Sequence, residues 1–201
     1  MLKHTPKSAR TRQFIIEKTA DLFNTKGYAG TSMSDLTAAT GLTKGSIYGN
    51  FENKESVAVA VFAYNLNKVE QAVKRYAAGA ESSRAVLMAY VAAYRNFIGG
   101  EFPGGGCPVL NTATEADDTS PRLRELAAAA IGRWQQQLEA VVEKGKAAGE
   151  FRADCDAVQT ALSVIALIEG GVMIGKLTNS QQHLDRVLLT VEWLIDNLQR
   201  P

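Results

Sequence analysis

Two helix-start signals lie eleven residues apart, on either side of a glycine, and they constrain the fold more than any other feature of the sequence. Ser32 and Asp35 form the S-x-x-D pattern of a capping box, in which the hydroxyl and the carboxylate satisfy the first backbone N–H groups of a helix. Gly41 ends this short helix, and Thr43 is suited to cap another over residues 44–50. Two short helices around a glycine-containing turn predict a helix-turn-helix motif.

The rest of the chain also carries helical patterns. Apolar side chains recur at intervals of three and four residues, and no window alternates apolar and polar residues as a half-buried strand does. The spacing predicts helices over residues 6–26, 53–76, 108–116, 120–148, 154–176 and 180–198, with a further apolar segment over 86–98. The sequence therefore predicts an all-α fold.

The charge distribution indicates where a polyanion would bind. The chain has 22 basic and 21 acidic side chains, which gives a formal net charge of +1. Residues 1–55 hold eight basic and five acidic side chains, a net charge of +3, and the remainder holds 14 and 16, a net charge of −2. A basic front and a mildly acidic body suggest that a polyanionic partner is met by the first quarter of the chain.

Composition and segment lengths exclude several classes of protein. Hydrophobic residues make up 46% of the chain and charged residues 21%, which is typical of a globular domain and not of a disordered one. The polar, basic N-terminus carries no apolar stretch of the kind found in secretory signals. The most apolar run, residues 161–174, contains Glu169 and is shorter than the roughly 20 residues that span a bilayer. We therefore expect a cytoplasmic protein with no membrane partner.

The segment 11–57 resembles the DNA-binding domain of the TetR (TetR/AcrR) family of bacterial transcriptional regulators. The resemblance rests on the spacing from Leu22-Phe23 to Gly27-Tyr28, the pair Thr31-Ser32, the turn Thr40-Gly41-Leu42-Thr43, and the run Lys44-Gly45-Ser46-Ile47-Tyr48 with Phe51 and Lys54-Glu55. The remainder is similar to the helical ligand-binding and dimerisation domain of that family in length and helix layout. The resemblance implies a DNA-binding domain over residues 1–55 and an effector-binding and dimerisation domain over residues 56–201.

The function that the resemblance implies is sequence-specific DNA binding, as a repressor that a small-molecule effector releases from its operator. The residues assigned to DNA are Thr31, Ser32, Thr43, Lys44, Gly45, Ser46, Tyr48, Asn50 and Lys54. Hydroxyls at a helix N-terminus suit a phosphate, although helix capping alone would also explain Thr31 and Ser32. Lys44 could bind a guanine edge or a phosphate. Tyr48 and Lys54 match positions that usually contact the DNA backbone in the family, whereas Gly49 departs from the bulky residues common there.

Aromatic and sulfur-containing residues of the second half are assigned to an effector pocket by the same resemblance. They are Tyr90, Tyr94, Phe97, Cys107, Asn111, Trp134 and Met173. An apolar cavity with a few polar groups is what a small organic effector needs, and plain core packing is the alternative for each aromatic side chain.

Enzymatic interpretations are weaker. Cys107 follows three glycines, yet no histidine lies near it in sequence to activate a nucleophile. Glu115, Asp117 and Asp118 look like half of a metal site, but no second acidic cluster completes it. We predict no catalytic residue, metal or cofactor, and keep an effector-free DNA-binding architectural or co-regulatory protein of the same fold as the alternative function.

The expected partners are double-stranded operator DNA, a small organic effector and a second copy of the chain. The apolar helix over 154–176 and the striped helix over 180–198 would expose a large apolar patch in a monomer. We therefore expect a homodimer through the last two helices.

Overall fold

Helices dominate the part of the chain that the computed structural model describes, which is residues 7–97, 100, 102–116 and 118–199. Nine helices lie within these residues: α1 Lys7–Gly30, α2 Met33–Thr40, α3 Lys44–Tyr48, α4 Lys54–Ala77, α5 Ser83–Arg95, α6 Pro108–Ala116, α7 Pro121–Ala147, α8 Ala157–Leu177 and α9 Gln181–Asp196. Within the same ranges no strand forms, and one antiparallel bridge joins Phe151 to Gln199. The predicted all-α class is confirmed.

The helix-turn-helix signals act as the sequence predicts. The Ser32 hydroxyl accepts a hydrogen bond from the backbone N–H of Asp35 at 3.1 Å, and the Asp35 carboxylate accepts one from the N–H of Ser32 at 2.8 Å. Gly41 ends α2 in the left-handed region with φ 69°, and Thr43 caps α3 by accepting from the N–H of Ser46. Local side-chain hydrogen bonds therefore fix the start of each of the two helices, and Gly41 ends the first through a backbone hydrogen bond to Thr37.

α1 differs from its predicted end. The pattern predicts that the helix stops before Gly27, whereas helical hydrogen bonding resumes after it and continues to Gly30. Gly27 itself has φ 74° and ψ 176°, a conformation that is almost confined to glycine. The glycine therefore marks a kink, and the last turn of α1 points in a new direction.

Contacts divide the chain into two packing units. The first comprises Met1–Lys68 and Pro103–Arg124, and the second comprises Val69–Phe102 and Glu125–Pro201. α4 and α7 each contribute residues to both units. Packing thus groups α6 with the helix-turn-helix, whereas the functional division at residues 55 and 56 remains a prediction.

In the first unit, apolar side chains of the helix-turn-helix and its flanks form a small core. Phe23, Leu36, Ile47 and Phe51 are buried, and Leu22 is half-buried. α1 packs on α2 and on α6, and α2 packs on α3. The buried face of α3 is thus supplied by one side chain, Ile47, and its other face is left exposed.

In the second unit, α8 packs along α9, and α5 packs on both. The largest fully buried side chains there are Phe151, Leu87, Leu138, Leu184, Leu188 and Ile195. The N-cap of α8 is Asp156, whose carboxylate accepts from the N–H of Gln159, so the helix begins after the predicted start at residue 154.

α8 is longer than the apolar run that predicts it. Its 21 residues are long and apolar enough to cross a membrane by length and composition, whereas the apolar run of the sequence has 14. Nine residues of α8 are buried in the unit, and α9 covers part of its surface. The buried core helix of a folded domain has the same length and composition.

The last two helices also keep an apolar face exposed. Seven of the large exposed apolar side chains lie on them: Val158, Leu162, Met173, Ile174, Leu177, Leu189 and Trp193. We call these seven residues the α8–α9 face. Large exposed apolar side chains grouped in this way are uncommon on folded domains.

Candidate DNA-binding surface and effector cavity

α3, the second helix of the helix-turn-helix and the expected recognition helix, presents a polar, exposed N-terminus. Thr43, Lys44 and Gly45 are exposed, and so is Tyr48 one turn later. The Lys44 ammonium lies 5.8 Å from the centroid of the Tyr48 ring. A cation and a phenol on one exposed helix face can bind a nucleic-acid backbone or a base edge.

Three other predicted DNA contacts lie at the start of α2 and within or just after α3. Ser32 is exposed, and its hydroxyl takes part in the capping box of α2. Ser46 is half-buried, and its carbonyl accepts a hydrogen bond from the side-chain amide of Asn50 at 2.9 Å. The side chains of Ser32 and Asn50 are thus oriented by local bonds, which lowers the entropy lost on binding.

Thr31 and Lys54 are engaged inside the unit. Thr31 has no exposed surface, and its hydroxyl donates to the Gly27 carbonyl at 2.6 Å. The Lys54 ammonium donates to the carbonyls of Tyr28 and Thr31 at 2.8 and 2.9 Å and lies 4.2 Å from the Tyr28 ring centroid. Lys54 therefore holds the end of α1 against the start of α4, and the Thr31 side chain, which was expected to contact a phosphate, is buried against Gly27.

Arg12 supports the far end of the recognition helix and was missed by the sequence analysis. Its guanidinium donates to the Asn50 carbonyl at 2.7 Å and lies 3.9 Å from the centroid of the Phe51 ring. Thirty-eight residues separate Arg12 from Asn50, so no local spacing signals the contact. It ties α1 to the segment that follows α3.

Glu115 has a structural role, and this role explains the residue without a metal site. Its carboxylate oxygens accept hydrogen bonds from the backbone N–H groups of Tyr28 and Ala29, both at 2.8 Å, directly after the Gly27 kink. Among the described residues no cluster of His, Cys, Asp or Glu could hold a metal, and Asp117 lies outside those residues. Glu115 acts as an N-terminal cap supplied from α6.

The glycine-rich segment before α6 packs against α1. The Asn24 side-chain amide donates to the carbonyls of Gly104 and Gly106 at 2.6 and 2.8 Å. The Asn111 amide donates to the carbonyls of Asn24 and Gly105 at 3.0 and 2.9 Å. We call this set of bonds the asparagine clasp, and it occupies the side-chain amide of Asn111, which the sequence analysis assigned to a ligand.

The second unit contains a cavity of about 370 Å³. α4, α5, α7 and α8 line it with Val69, Glu70, Gln71, Val73, Lys74, Ala77, Val86, Tyr90, Tyr94, Trp134, Gln137, Leu138, Val164, Ile165, Ile168 and Glu169. Its size is at the lower end of the range for small-molecule sites, and its walls are mostly apolar. Tyr90, Tyr94 and Trp134 are three of the predicted pocket residues, and the structure brings them together here.

The other four predicted pocket residues lie elsewhere. Phe97 packs behind Tyr94, with ring centroids 5.6 Å apart. Met173 is 51% exposed on the α8–α9 face. Cys107 is buried in the first unit, and Asn111 belongs to the asparagine clasp. Helix layout alone did not reveal that the chain after Phe102 packs with the helix-turn-helix.

Two carboxylates that sequence reasoning did not assign to the cavity line it. Glu169 is 8% exposed, and Glu70 lies 3.9 Å from the Arg133 guanidinium. Burial raises the pKa of the Tyr90 hydroxyl above its ordinary value, and the charge of Glu70 raises it further. The Tyr90 hydroxyl therefore keeps its proton at neutral pH and can donate a hydrogen bond.

The fold and these two sites define a class of protein, a helical regulator with a helix-turn-helix unit and a separate cavity-bearing unit. The family model described as "Bacterial regulatory proteins, tetR family" matches residues 15–61, and "Tetracyclin repressor-like, C-terminal domain" matches residues 84–191. The chain belongs to the TetR family of transcriptional regulators.

Individual relatives agree with this assignment. A TetR-family regulator from Cytophaga hutchinsonii is 47% identical, with a TM-score of 0.95 over 99% of this chain and 100% of that one. A TetR regulator from Chloroflexus aurantiacus is 38% identical, with a TM-score of 0.91 over 96% and 98%. The transcriptional repressor DhaR of Mycobacterium sp. (strain GP1) is 27% identical over 91% of this chain and 92% of its own. All three are described as transcriptional regulators, a non-enzymatic class, and another TetR-family regulator, CifR, has been solved in complex with double-strand operator DNA.

Proposed function

We propose that this protein is a homodimeric repressor that leaves its operator when a small organic effector occupies the cavity of the second unit. One observation carries the proposal: a cavity of about 370 Å³, walled by three aromatic side chains, in a unit other than the one that holds the helix-turn-helix. A protein without an effector gains nothing from such a void, because unfilled space in a core forfeits packing energy.

The DNA-reading surface is the exposed side of α3 with its flanks. We assign direct contacts to Ser32, Thr43, Lys44, Gly45, Ser46, Tyr48 and Asn50. Thr31 and Lys54 act as positioning residues, because their polar groups bond to the backbone of α1. The N-terminal residues of α3 would meet base edges in the major groove, where Gly45 permits a close approach.

The α8–α9 face is the surface through which two copies would pair. Seven apolar side chains are exposed on it, and a two-fold axis would bury them against their own copies. Two recognition helices related by that axis would read a near-palindromic operator, with half-sites about one helical turn or somewhat more apart. Such a regulator works where the chromosome is, in the cytoplasm.

The test begins with selection of bound duplexes from a random DNA pool, because no operator sequence is assumed. We expect a near-palindromic consensus, bound by two chains per duplex. A screen of small organic compounds for release of the selected duplex follows, with thermal stabilisation of the protein as an independent sign of binding. Selection that yields no consensus would contradict the proposal of a sequence-specific regulator. Compounds that bind without lowering operator affinity would contradict the proposed release mechanism.

Reciprocity gives the sharpest form of this test. An effector can weaken operator binding only by its preference for the DNA-incompetent arrangement, typically about 1–3 kcal/mol of coupling. Saturating operator must then weaken effector binding by the same factor. Equal effector affinity with and without operator would contradict the proposed coupling even if both ligands bind.

A further inference from the structure

The Tyr90 hydroxyl is a hydrogen-bond donor in the cavity lining, and the described part of the chain gives it no acceptor. Tyr90 lies on α5, is half-buried and lines the cavity of the second unit. Among the described residues its hydroxyl forms no hydrogen bond. The hydroxyl keeps its proton at neutral pH, because burial and the charge of Glu70 raise its pKa. A ligand that brings an acceptor would therefore complete a hydrogen bond that the described protein groups leave unmade.

A second donor belongs to the same lining. Trp134 lies on α7 and is 7% exposed, and its indole nitrogen can donate a hydrogen bond but cannot accept one. Within the described ranges this N–H also donates to no acceptor. Two donors in one lining favour a ligand that presents the lone pairs of an oxygen or nitrogen atom.

The walls around these donors are mostly apolar. The ring of Tyr94 lines the cavity and packs on the rings of Phe97 and Phe102, with centroids 5.6 and 5.3 Å apart. Aliphatic side chains of α4, α5, α7 and α8 make up most of the remaining lining. A ligand oxygen that enters such surroundings loses its hydration, and this loss is compensated only where a protein donor meets it. The ligand oxygen is therefore best placed at the Tyr90 hydroxyl.

The charge near Tyr90 favours a neutral acceptor over an anionic one. Glu70 belongs to the same lining, and its charge opposes ionisation of the Tyr90 hydroxyl. A ligand carboxylate placed against that hydroxyl would be opposed in the same way, because it would put a negative charge near the same position. Lys74 and Arg133 are exposed, and they do not reverse the effect of Glu70 at this hydroxyl.

We infer that the effector of this protein is a neutral organic compound whose carbonyl oxygen accepts a hydrogen bond from the Tyr90 hydroxyl, with an apolar or aromatic body against Tyr94 and Trp134. This rests on the proposed function, because it names the ligand class of the same cavity. The volume of about 370 Å³ limits the ligand to a small one.

The experiment compares three planar probes of nearly one shape by NMR titration into the full-length protein. The probes are acetophenone, its alkene isostere α-methylstyrene, and the anion benzoate. We expect acetophenone to bind at millimolar or lower concentration, the range for a ligand of this size, and at least about 10-fold more tightly than benzoate. Binding of benzoate as tight as that of acetophenone, or no binding of acetophenone at millimolar concentration, would overturn the inference.

A variant identifies the donor. Tyr90→Phe keeps the ring and removes the hydroxyl, so it should weaken acetophenone by about 3- to 10-fold relative to α-methylstyrene, which has no acceptor to lose. The ratio of the two affinities cancels any change in the shape of the cavity. Tyr64→Phe, which removes a half-buried phenol of α4 in the first unit, outside the lining, is the matched control and should leave that ratio unchanged.

An unchanged ratio in Tyr90→Phe would overturn the assignment of Tyr90. The comparison of acetophenone with benzoate on the unaltered protein stays decisive if that variant does not fold.

Failure of this inference can be told apart from failure of the proposed function. If an anion or a compound without an acceptor releases the selected operator equally well from the parent and from Tyr90→Phe, the effector mechanism stands and the inference is wrong. If neutral carbonyl compounds bind through Tyr90 and none of them lowers operator affinity, the ligand class is right and the release mechanism is wrong.

Discussion

The two packing units of this protein differ in the balance of their contacts. In the first, many side chains reach distant backbone groups: Glu115 bonds to the N–H groups of Tyr28 and Ala29, and Lys54 bonds to carbonyls at the end of α1. In the second, fewer such bonds form among the described residues, chiefly from the N–H groups of Ser83 and Arg84 to Glu150 and from Gln181 to the Arg95 carbonyl, and apolar packing has the larger share.

This difference in contacts matches what each unit requires. Directional hydrogen bonds to the backbone fix one arrangement of short helices, which a DNA-reading surface requires. Apolar packing is not directional, and it leaves the second unit with a cavity and an exposed face. The first unit is therefore expected to be sensitive to the loss of single polar groups, and the second to changes at its apolar surfaces.

The largest expected effect lies on the α8–α9 face. Trp193 is 65% exposed there, and a two-fold interface would bury each substitution twice. Trp193→Glu should weaken dimerisation by about 4 kcal/mol, roughly 1,000-fold, because two unpaired carboxylates would lose water. Sedimentation across a concentration series measures it, with Gln136→Glu at an exposed position of α7 as the control. A dimer that tolerates Trp193→Glu would place the interface elsewhere.

The next effect tests the kink of α1. An added Cβ at Gly27 would lie 2.4 Å from a Glu115 carboxylate oxygen, and φ 74° with ψ 176° is strained for any other residue. Gly27→Ala should therefore lower the free energy of unfolding by about 2–4 kcal/mol in urea titrations. Gly30→Ala, whose added Cβ meets only the Lys26 side chain at 3.7 Å, is the control and should stay within about 0.5 kcal/mol. Equal costs for the two variants would show that the Glu115 contact is dispensable.

The features of the first unit that the sequence predicts are those that depend on residues close to one another in the chain. The capping box of Ser32 and Asp35, the turn at Gly41 and the Thr43 cap each depend on residues within a few positions of one another. The bonds of Glu115 to Tyr28 and of Arg12 to Asn50 join residues 87 and 38 positions apart, so no spacing encodes them. The sequence thus predicts the recognition helix better than the contacts that hold it.

The cavity was predictable only in part, for a similar reason. The resemblance to the family assigns Tyr90, Tyr94 and Trp134 to an effector pocket, and they do line one cavity. The same resemblance assigns Asn111 to that pocket, whereas the segment after Phe102 packs with α1 and the Asn111 amide bonds to the Asn24 carbonyl. Glu169 was not assigned to the pocket, because a single charge in an apolar run does not reveal which neighbour it faces.

A third prediction distinguishes the structural role of Lys54 from the DNA contact expected of Lys44. Lys54→Met removes two hydrogen bonds to α1 and keeps the aliphatic stem, so it should cost about 1–2 kcal/mol of stability and weaken operator binding without changing its salt dependence. Lys44→Ala removes an exposed side chain, so stability should stay within about 0.5 kcal/mol. Its salt slope should fall by about one if Lys44 meets a phosphate, or its sequence preference should change if it meets a base. A lower salt slope with unchanged stability in Lys54→Met would make Lys54 a phosphate contact instead.

The smallest expected effect is the acid sensitivity of the α2 capping box. The Lys26 ammonium at 2.7 Å and the bonds from Ser32 lower the pKa of Asp35 well below its ordinary value. A carboxyl group whose pKa is lower in the folded state stabilises the protein at pH values above about 4, and this contribution is lost as the pH falls below that value.

Asp35→Asn keeps an acceptor for the Ser32 N–H and removes the charge, so it should be less stable than the parent at pH 7 and should converge with it in acid. Lys26→Met should produce the same convergence, because it removes the partner and leaves the carboxylate. Urea titrations between pH 7 and pH 2 measure the difference. A gap between Asp35→Asn and the parent that stays constant across that range would mean that the cap contributes by shape alone. The hydrogen bonds of Asp35 would then stabilise the start of α2 without any contribution from its negative charge.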